Sequence, residues 1–249
     1  MDGKAARDHL QRCFVLHRRN FGNSSLILEV FSAAYGRQAV LAKGARQRRR
    51  GRPAGGEILQ AFRPLWLSWS GRGEVKTLVR YEPAGPTAEL PGKVLYCGFY
   101  LNELLIRLVH RSDPHEALFA FYSAALDALA AGEDVETVLR GFELNLLREI
   151  GYTVVLDREA GSGRPVAAGR HYVYEPGAGL RAAGAAEGPQ ALSGELLLKL
   201  AAGGPLHGAA AREAKRLTRR LLAPHLGARP LKSRELFRGR DPRPLDGSE

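Results

Sequence analysis

Three prolines between positions 83 and 91 separate two stretches of sequence whose apolar residues recur with different periods. Before them, short apolar runs alternate with turns rich in glycine and asparagine, which is typical of β-strands. After them, apolar residues recur every three or four positions, which is typical of helices. The sequence therefore predicts an α+β protein with a β domain at 1–85 and a helical domain at 86–249. A chain of 249 residues can bury two modest cores.

The first stretch predicts a small β-barrel. Its five apolar runs occupy positions 13–19, 25–31, 38–43, 57–70 and 74–81. In the long fourth run, alternation places Ile58, Phe62 and Trp66 on one face of a single strand. Five short strands with glycines at the reversals favour an OB-fold barrel, although an SH3-like barrel stays open on pattern alone.

A glycine-bracketed loop at 44–56, between the third and fourth predicted strands, holds five arginines within seven positions. Arginines this close repel one another and cannot pack in a core, so we expect them to bind a phosphate backbone, with salt-sensitive affinity. Nearby cations are expected to extend the same face. The predicted nucleic-acid-binding residues are Arg18, Arg19, Lys43, Arg46, Arg48, Arg49, Arg50, Arg52, Arg72 and Lys76.

Aromatic side chains are the second requirement for a barrel that binds single strands, because bases stack on them. The candidates are Phe21, Tyr35, Trp66, Trp69 and Tyr81. We expect Phe62, Trp66 and Trp69 to serve mainly in packing, since they lie in the most apolar run. Phe21 lies in a polar turn and is expected to be exposed.

Charge is segregated along the chain. Positions 1–80 carry 16 lysines and arginines against 5 acidic residues, 81–160 carry 6 against 13, and 161–249 carry 15 against 8. Two basic blocks that flank an acidic one indicate that the ends contact a polyanion while the middle has another role.

The second stretch predicts a helical bundle followed by a small β insertion at about 152–180. The predicted helices cover 93–110, 117–131, 135–150, 193–202 and 209–222, and the predicted strands cover 152–156 and 171–175. Asp113 and Pro114 are expected to cap the second helix, and Ser193 the fourth. The tail from position 238 is polar and is expected to fray.

The last predicted helix is amphipathic, with a basic face formed by Arg212, Lys215, Arg216, Arg219 and Arg220. Such a face suits nucleic acid, an acidic peptide or an anionic membrane surface. The opposite face is rich in alanine and leucine without aromatics, and we expect it to dock on the bundle.

The sequence contains none of the usual catalytic motifs, so an enzyme is not expected. The segment 71–77 (GRGEVKT) lacks the glycine that a phosphate-binding loop needs before its lysine, because Val75 stands there. Cys13 and Cys97, the two cysteines, fit a reducing cytoplasm and exclude a four-cysteine zinc site. No signal peptide and no apolar run of membrane-spanning length occur, so we expect a cytoplasmic protein without cofactor or membrane partner.

Six short strings, in order along positions 9–238, carry a family resemblance. They are 14–18 (FVLHR), 41–46 (LAKGAR), 71–78 (GRGEVKTL), 102–105 (NELL), 142–144 (FEL) and 231–237 (LKSRELF). Together they resemble the RecO family of bacterial recombination mediators. Many members of that family carry four zinc-binding cysteines after the third helix. Positions 152–180 contain none, so the chain is similar to the zinc-free forms and no metal is expected.

The resemblance implies a nucleoid-associated, non-enzymatic protein of DNA repair. Its OB-fold would bind single- and double-stranded DNA, and the protein would anneal strands coated by single-strand-binding protein (SSB) and, with RecR, help to load RecA. RecF as a partner and the oligomeric state stay open. The acidic, apolar C-terminal tail of SSB would dock in an apolar cavity of the helical domain beside basic residues. The expected tail-binding residues are Arg140, Arg212, Lys215 and Arg216.

Alternatives remain at this point. Arg140 is also spaced to pair with Glu136 or Glu143 along one helix. An RNA-binding OB protein of translation or RNA processing fits the barrel and the charge equally well, because phosphate contacts carry no base information. A peripheral membrane protein acting through the last helix is a weaker option.

Overall fold

The computed structural model describes residues 10–47, 54–152, 154–184 and 188–237. The first elements are β1 (Gln11–Phe21), β2 (Ser25–Ser32), β3 (Gly36–Ala42), α1 (Gly55–Ile58), β4 (Pro64–Ser70) and β5 (Val75–Pro83). The five strands close into a barrel in the order β1-β2-β3-β5-β4, and every pair is antiparallel except β3 with β5. An OB-like barrel is therefore confirmed.

The remaining elements form a helical region with one small sheet. They are α2 (Lys93–Leu108), α3 (Glu116–Ala130), α4 (Val135–Glu149), β6 (His171–Glu175), β7 (Gly179–Ala182), β8 (Leu192–Ser193), α5 (Gly194–Ala201), α6 (Gly208–Leu226) and α7 (Ser233–Phe237). Ser193 caps α5 as predicted, since its hydroxyl accepts a hydrogen bond from the Leu196 N–H at 3.2 Å. Within the described ranges no helix has the length and apolarity needed to cross a membrane.

The barrel and the helices share a large apolar core. Phe14 and Phe31 of the barrel contact the rings of Phe119 and Tyr122 on α3. The buried Asn102 of α2 donates to the Leu16 carbonyl at 2.9 Å and accepts from the Tyr122 hydroxyl at 2.5 Å. The division into domains at 85/86 stays a prediction, because one apolar cluster extends across it.

The prediction of one strand over 57–70 is wrong in its first half. A single helical turn, α1, occupies its start, and β4 begins only at Pro64. Between them Phe62 has a φ of 64°, in the left-handed region. Its buried ring packs on α2, where a Cβ added to Gly98 would lie 2.9 Å from it. This contact with a distant helix turns the chain and breaks the alternation.

The start of α3 also differs from the prediction. The helix begins at Glu116 with His115 at its N-cap, two positions after the expected Asp113 cap. The loop before it packs on the barrel instead: the Ser112 N–H donates to the Arg37 carbonyl at 3.0 Å. A Cβ at Gly36 would lie 1.8 Å from the Asp113 carbonyl oxygen, so this approach is very close. Tertiary packing therefore overrides a sound capping signal.

The small sheet is only partly as predicted. The strand at 171–175 is confirmed as β6, which pairs with β7 and β8, two short strands that sequence patterns missed. The strand expected at 152–156 does not form in its described residues. Tyr152 and Val155 are exposed, and the Tyr152 ring lies against His225 of α6 with centroids 3.8 Å apart.

Candidate functional site

One end of the barrel gathers four of the predicted nucleic-acid-binding residues. Arg18, Arg19 and Arg46 line one open cavity of about 470 Å³, and Lys43 is exposed just after β3. Arg18 Nη1 donates to the Gly56 carbonyl at 2.6 Å, which fixes its guanidinium beside α1. The result is a basic surface, called the basic barrel end below. Glu57 is the acidic residue in its lining.

The arginine loop joins the basic barrel end at both of its described edges. On one side, the Arg46 N–H donates to the Ser24 carbonyl at 2.9 Å, which ties the loop to the β1–β2 turn. On the other side, the Gly56 N–H donates to the Ala45 carbonyl at 2.7 Å. The predicted contacts at Arg48, Arg49, Arg50 and Arg52 lie outside the described residues.

Arg72 and Lys76 do not lie with the other predicted residues. Arg72 is in the β4–β5 loop, and Lys76 is opposite Val40 near the start of β5. This end of the barrel holds the β2–β3 turn and contacts the loop before α3, opposite the β1–β2 turn. The expectation that all these cations extend one face is therefore not met.

The barrel aromatics divide between packing and exposure. Phe21, at the end of β1 beside the basic barrel end, is 51% exposed, as predicted. Trp66 is 38% exposed, so its assignment to packing is wrong: Leu65 and Leu67 point into the barrel, and strand alternation directs Trp66 outward. Trp69 is half-buried and meets the exposed Tyr35 edge-on, with centroids 5.6 Å apart.

A second cavity, of about 380 Å³, lies in the helical region among α2, α4, α6 and α7. Its walls combine apolar groups with cations and one carboxylate, and its lining comprises Cys97, Tyr100, Val135, Glu136, Leu139, Arg140, Lys215, Arg219, Arg234 and Phe237. Of the predicted tail-binding residues, Arg140 and Lys215 line this helical cavity. Arg212 and Arg216 are exposed on α6 and do not line it.

Sequence reasoning placed neither Arg219 nor Arg234 at this cavity. Arg219 was recognised only as part of the basic face of α6. Arg234 belongs to the C-terminal string LKSRELF and reaches the cavity because α7 packs on α2, where the Phe237 ring meets Tyr96 edge-on at 5.6 Å. No pattern in the sequence pairs these two distant segments.

Arg140 is held by carboxylates on its own helix. Its Nη1 lies 2.7 Å from Glu136 Oε2, and its Nη2 lies 2.7 Å from Glu143 Oε1. The alternative left open by helical spacing is thus what the structure shows. Lys215 Nζ of α6 also contacts Glu136, at 2.6 Å. Among the described residues, Arg219 and Arg234 have no ion-pair partner, so the cavity keeps an excess of positive charge.

The phenol of Tyr100 completes this cluster. Its hydroxyl donates to Glu143 Oε1 at 2.5 Å. Burial, followed by the negative charge of Glu143, raises the pKa of Tyr100 well above its ordinary value. The phenol therefore stays protonated and remains a hydrogen-bond donor at all physiological pH values.

Two family models together cover most of the chain. Residues 7–87 match the family described as Recombination protein O N terminal, and residues 92–235 match Recombination protein O C terminal. The chain belongs to the RecO family. The resemblance carried by the six sequence strings is thereby confirmed.

Relatives named DNA repair protein RecO align with nearly all of this RecO-family chain. The protein of Methylococcus capsulatus is 48% identical, with 95% of this chain and 96% of the relative covered. That of Aromatoleum aromaticum is 46% identical, with 92% and 94% covered, and that of Nitrosococcus oceani 45% identical, with 92% of both covered. The chain therefore has a role in DNA repair and recombination. Neither these names nor the family descriptions include a catalytic activity.

The segment at 152–180 shows whether the zinc site raised by the family resemblance could exist in this chain. Positions 152–180 contain no cysteine. Across the described ranges, no group of three or more histidine, cysteine, aspartate or glutamate residues is placed to hold a metal ion. Instead, the fully buried Tyr172 accepts a hydrogen bond from the Ala167 N–H at 2.8 Å and belongs, with Leu180 and Val166, to the large apolar core. These residues do not fit a zinc site.

Proposed function

We propose that this chain is a non-enzymatic recombination mediator that acts in the cytoplasm at the nucleoid. Its barrel binds single- and double-stranded DNA, and its helical cavity binds the C-terminal tail of SSB. The protein then anneals SSB-coated complementary strands and, with RecR, helps to load RecA. The observation that supports this most directly is the presence on one molecule of a basic barrel end and, separately, a cation-rimmed apolar cavity.

The basic barrel end suits a phosphate backbone. Arg18, Arg19 and Arg46 lie around one open cavity at the foot of an arginine-rich loop, and Phe21 is exposed beside them. When arginine contacts a phosphate, condensed counterions are released from the nucleic acid, and this release favours binding at low salt. An exposed aromatic ring stacks on bases without reading their sequence. This combination supports binding of polynucleotides of any sequence, which annealing of arbitrary strands requires.

The helical cavity suits a peptide that ends in acidic residues and a phenylalanine carboxylate. Val135, Leu139 and Phe237 supply apolar walls for the ring. Arg219 and Arg234 supply cations for the carboxylates, and neither is neutralised by a described residue. Arg140 is already paired with Glu136 and Glu143, which fixes its position in the α4 wall of the cavity. These glutamates do not neutralise Arg219 or Arg234, so those two cations stay free to bind.

The two surfaces are separable by mutation. Changing Arg18, Arg19 and Arg46 to alanine should weaken binding of a single-stranded oligonucleotide and leave binding of a labelled SSB-tail peptide unchanged. Changing Arg234 to alanine should have the opposite effect, with peptide affinity lower by several-fold. Fluorescence anisotropy measures both affinities.

The function itself is tested by annealing. Complementary strands are coated with SSB, without ATP, and their pairing is followed by fluorescence quenching with and without the protein. We expect faster annealing, and less acceleration when SSB lacks its C-terminal tail. No acceleration with intact SSB would contradict the proposal. In a parallel competition, clear preference for RNA over matched DNA would instead favour a role in RNA processing.

A further inference from the structure

Helix α6 carries a row of cations that extends beyond the helical cavity. Arg212, Arg216 and Arg219 follow one another at spacings of four and three residues, which places them on one helix face. All three are exposed, and within the described ranges none forms an ion pair or a side-chain hydrogen bond. We call these residues the α6 stripe.

The other cations of α6 are already engaged. Lys215 contacts Glu136 at 2.6 Å, and Arg220 donates to the Tyr174 carbonyl at 2.5 Å. The helix contains a single acidic residue, Glu213, and its Oε1 accepts a hydrogen bond from the Ser193 N–H at 2.8 Å. Like charges three or four residues apart destabilise a helix. No acidic side chain of α6 is therefore free to relieve the repulsion among the three arginines of the stripe. An external anion would relieve it.

The apolar residues of α6 limit what that anion is. Ala211, Ala214, Leu217, Leu221 and Leu222 are buried against the rest of the fold. The helix thus offers no free apolar face for insertion into a membrane, and the stripe at Arg212 and Arg216 lies outside the apolar-walled cavity. What remains is charge without an apolar wall, which suits a phosphate backbone better than an apolar acidic peptide.

The length of the stripe fits several phosphates. Seven residues of α-helix span about 10 Å. Three guanidinium groups over that distance present the repeated positive charge that a chain of phosphates neutralises. Arginine also makes bidentate contacts with phosphate oxygens.

We propose that the α6 stripe is a second polynucleotide-binding surface, separate from the basic barrel end, which contacts the phosphates of single-stranded DNA. The choice of DNA as the polynucleotide rests on the proposed function. Arg219 belongs to both the stripe and the cavity, so a strand on the stripe lies beside a peptide in the cavity. The protein thereby holds a long strand at two places, or two strands at once.

The test uses the full chain with Arg212 and Arg216 changed to alanine, while Arg219 is kept because it lines the cavity. The matched control changes Arg148 and Arg164 to alanine, two exposed arginines elsewhere whose loss alters the net charge equally. Binding of a long single-stranded oligonucleotide is measured by anisotropy over a range of salt concentrations. Arg212→Lys/Arg216→Lys, which preserves the charge, checks that any loss does not come from misfolding.

Loss of two phosphate contacts should reduce the slope of log affinity against log salt by about 1.4, since each contact with a single strand contributes about 0.7. The control and the lysine variant should keep the wild-type slope, and SSB-tail peptide affinity should be unchanged. A slope equal to that of the control would overturn the proposal. The proposal would also be overturned if the alanine variant kept the wild-type slope for DNA but lost binding of the SSB-tail peptide or of anionic vesicles.

Failure of the proposed function would look different. In that case the wild-type protein would bind no DNA, or the Arg18, Arg19 and Arg46 variant would bind it normally. A defect of the barrel variant together with normal binding by the stripe variant would overturn only the α6 surface.

Discussion

The guanidinium of Arg140 and the carboxylate of Glu143 are both almost completely buried, with 3% and 1% of their side-chain surfaces exposed. Arg140 Nε and Glu143 Oε2 have no hydrogen-bond partner among the described residues. Glu143 therefore depends on Arg140 for compensation, whereas Arg140 also pairs with Glu136. Such a pair is costly to form, but removing one partner is worse, because an uncompensated charge stays buried.

Glu143→Ala should destabilise the protein by about 1–3 kcal/mol, because it leaves Arg140 Nη2 and the Tyr100 hydroxyl without their acceptor, while Glu136 still compensates the Arg140 charge. Urea denaturation followed by circular dichroism measures the change. Glu195→Ala, which removes an exposed carboxylate paired with Lys199, is the control and should leave the midpoint unchanged. A Glu143 variant as stable as that control would show that the pair is not needed.

Spacing along α4 was enough to raise the pairing of Arg140 as an alternative to tail binding, because its partners lie three and four residues away on the same helix. The presence of Arg234 at the same cavity was beyond prediction, since it depends on how α7 folds back onto α2. Trp66 illustrates the same limit: its position in an apolar run suggested packing, while its exposure depends on which neighbours point into the barrel.

Helix α7 is held in place by one carboxylate of α2. Glu103 accepts hydrogen bonds from the Lys232 N–H at 2.9 Å, the Ser233 N–H at 2.8 Å and the Ser233 hydroxyl at 2.7 Å. Burial of Glu103 raises its pKa, but the hydrogen bonds from Ser233 and Lys232 outweigh this and hold the pKa below its ordinary value of 4.5. The hydrogen bonds that attach α7 to α2 therefore contribute fully above about pH 4.5, where Glu103 is ionised. Their contribution to stability is lost as the pH falls through the lowered pKa of Glu103.

Glu103→Ala should release α7 and, with it, Arg234 and Phe237 of the helical cavity. We expect the free energy of unfolding to fall by about 1–2 kcal/mol, as it does when a helix cap is removed. We also expect the affinity for the SSB-tail peptide to fall several-fold. Anisotropy of the labelled peptide measures the second effect. Glu235→Ala removes the same charge from α7 without breaking these bonds and should bind normally. Equal affinities for the two variants would contradict this role of Glu103.

The contact between the β2–β3 turn and the loop before α3 leaves no room at Gly36. Its φ of 61° lies in the left-handed region, and an added Cβ would meet the Asp113 carbonyl. Gly22 has a similar φ of 55° but nothing within 4 Å of an added Cβ. The two glycines therefore separate the cost of backbone conformation from the cost of a clash.

Gly36→Ala should destabilise the protein more than Gly22→Ala, by a further 1–3 kcal/mol or so, which is typical of overpacking. Thermal or urea unfolding of both variants gives the comparison. Equal destabilisation would mean that the barrel and the α3 loop separate easily. The same contact explains why the Asp113–Pro114 capping signal failed: those residues are used to join two parts of the fold.

At the scale of the whole molecule, the segregated charge of the sequence becomes separate surfaces. The first basic block supplies the basic barrel end, and the last supplies the cations of α6 and α7 around a cavity in the acidic helical region. The barrel, the five helices α2 to α6 and the presence of the basic block were predictable from period and composition. The division of the barrel cations between two ends was not, because Arg72 and Lys76 are placed by strand pairing across the closed barrel.

The central claim is that arginines on the barrel bind the phosphate backbone of DNA. It is tested most directly by titrating single-stranded DNA binding with salt for the wild-type chain and for a variant with Arg48, Arg49, Arg50 and Arg52 changed to alanine. We predict a steep wild-type dependence, and a slope of log affinity against log salt that falls by up to about 3 in the variant, at roughly 0.7 per lost contact. Identical slopes for the two proteins would contradict the account.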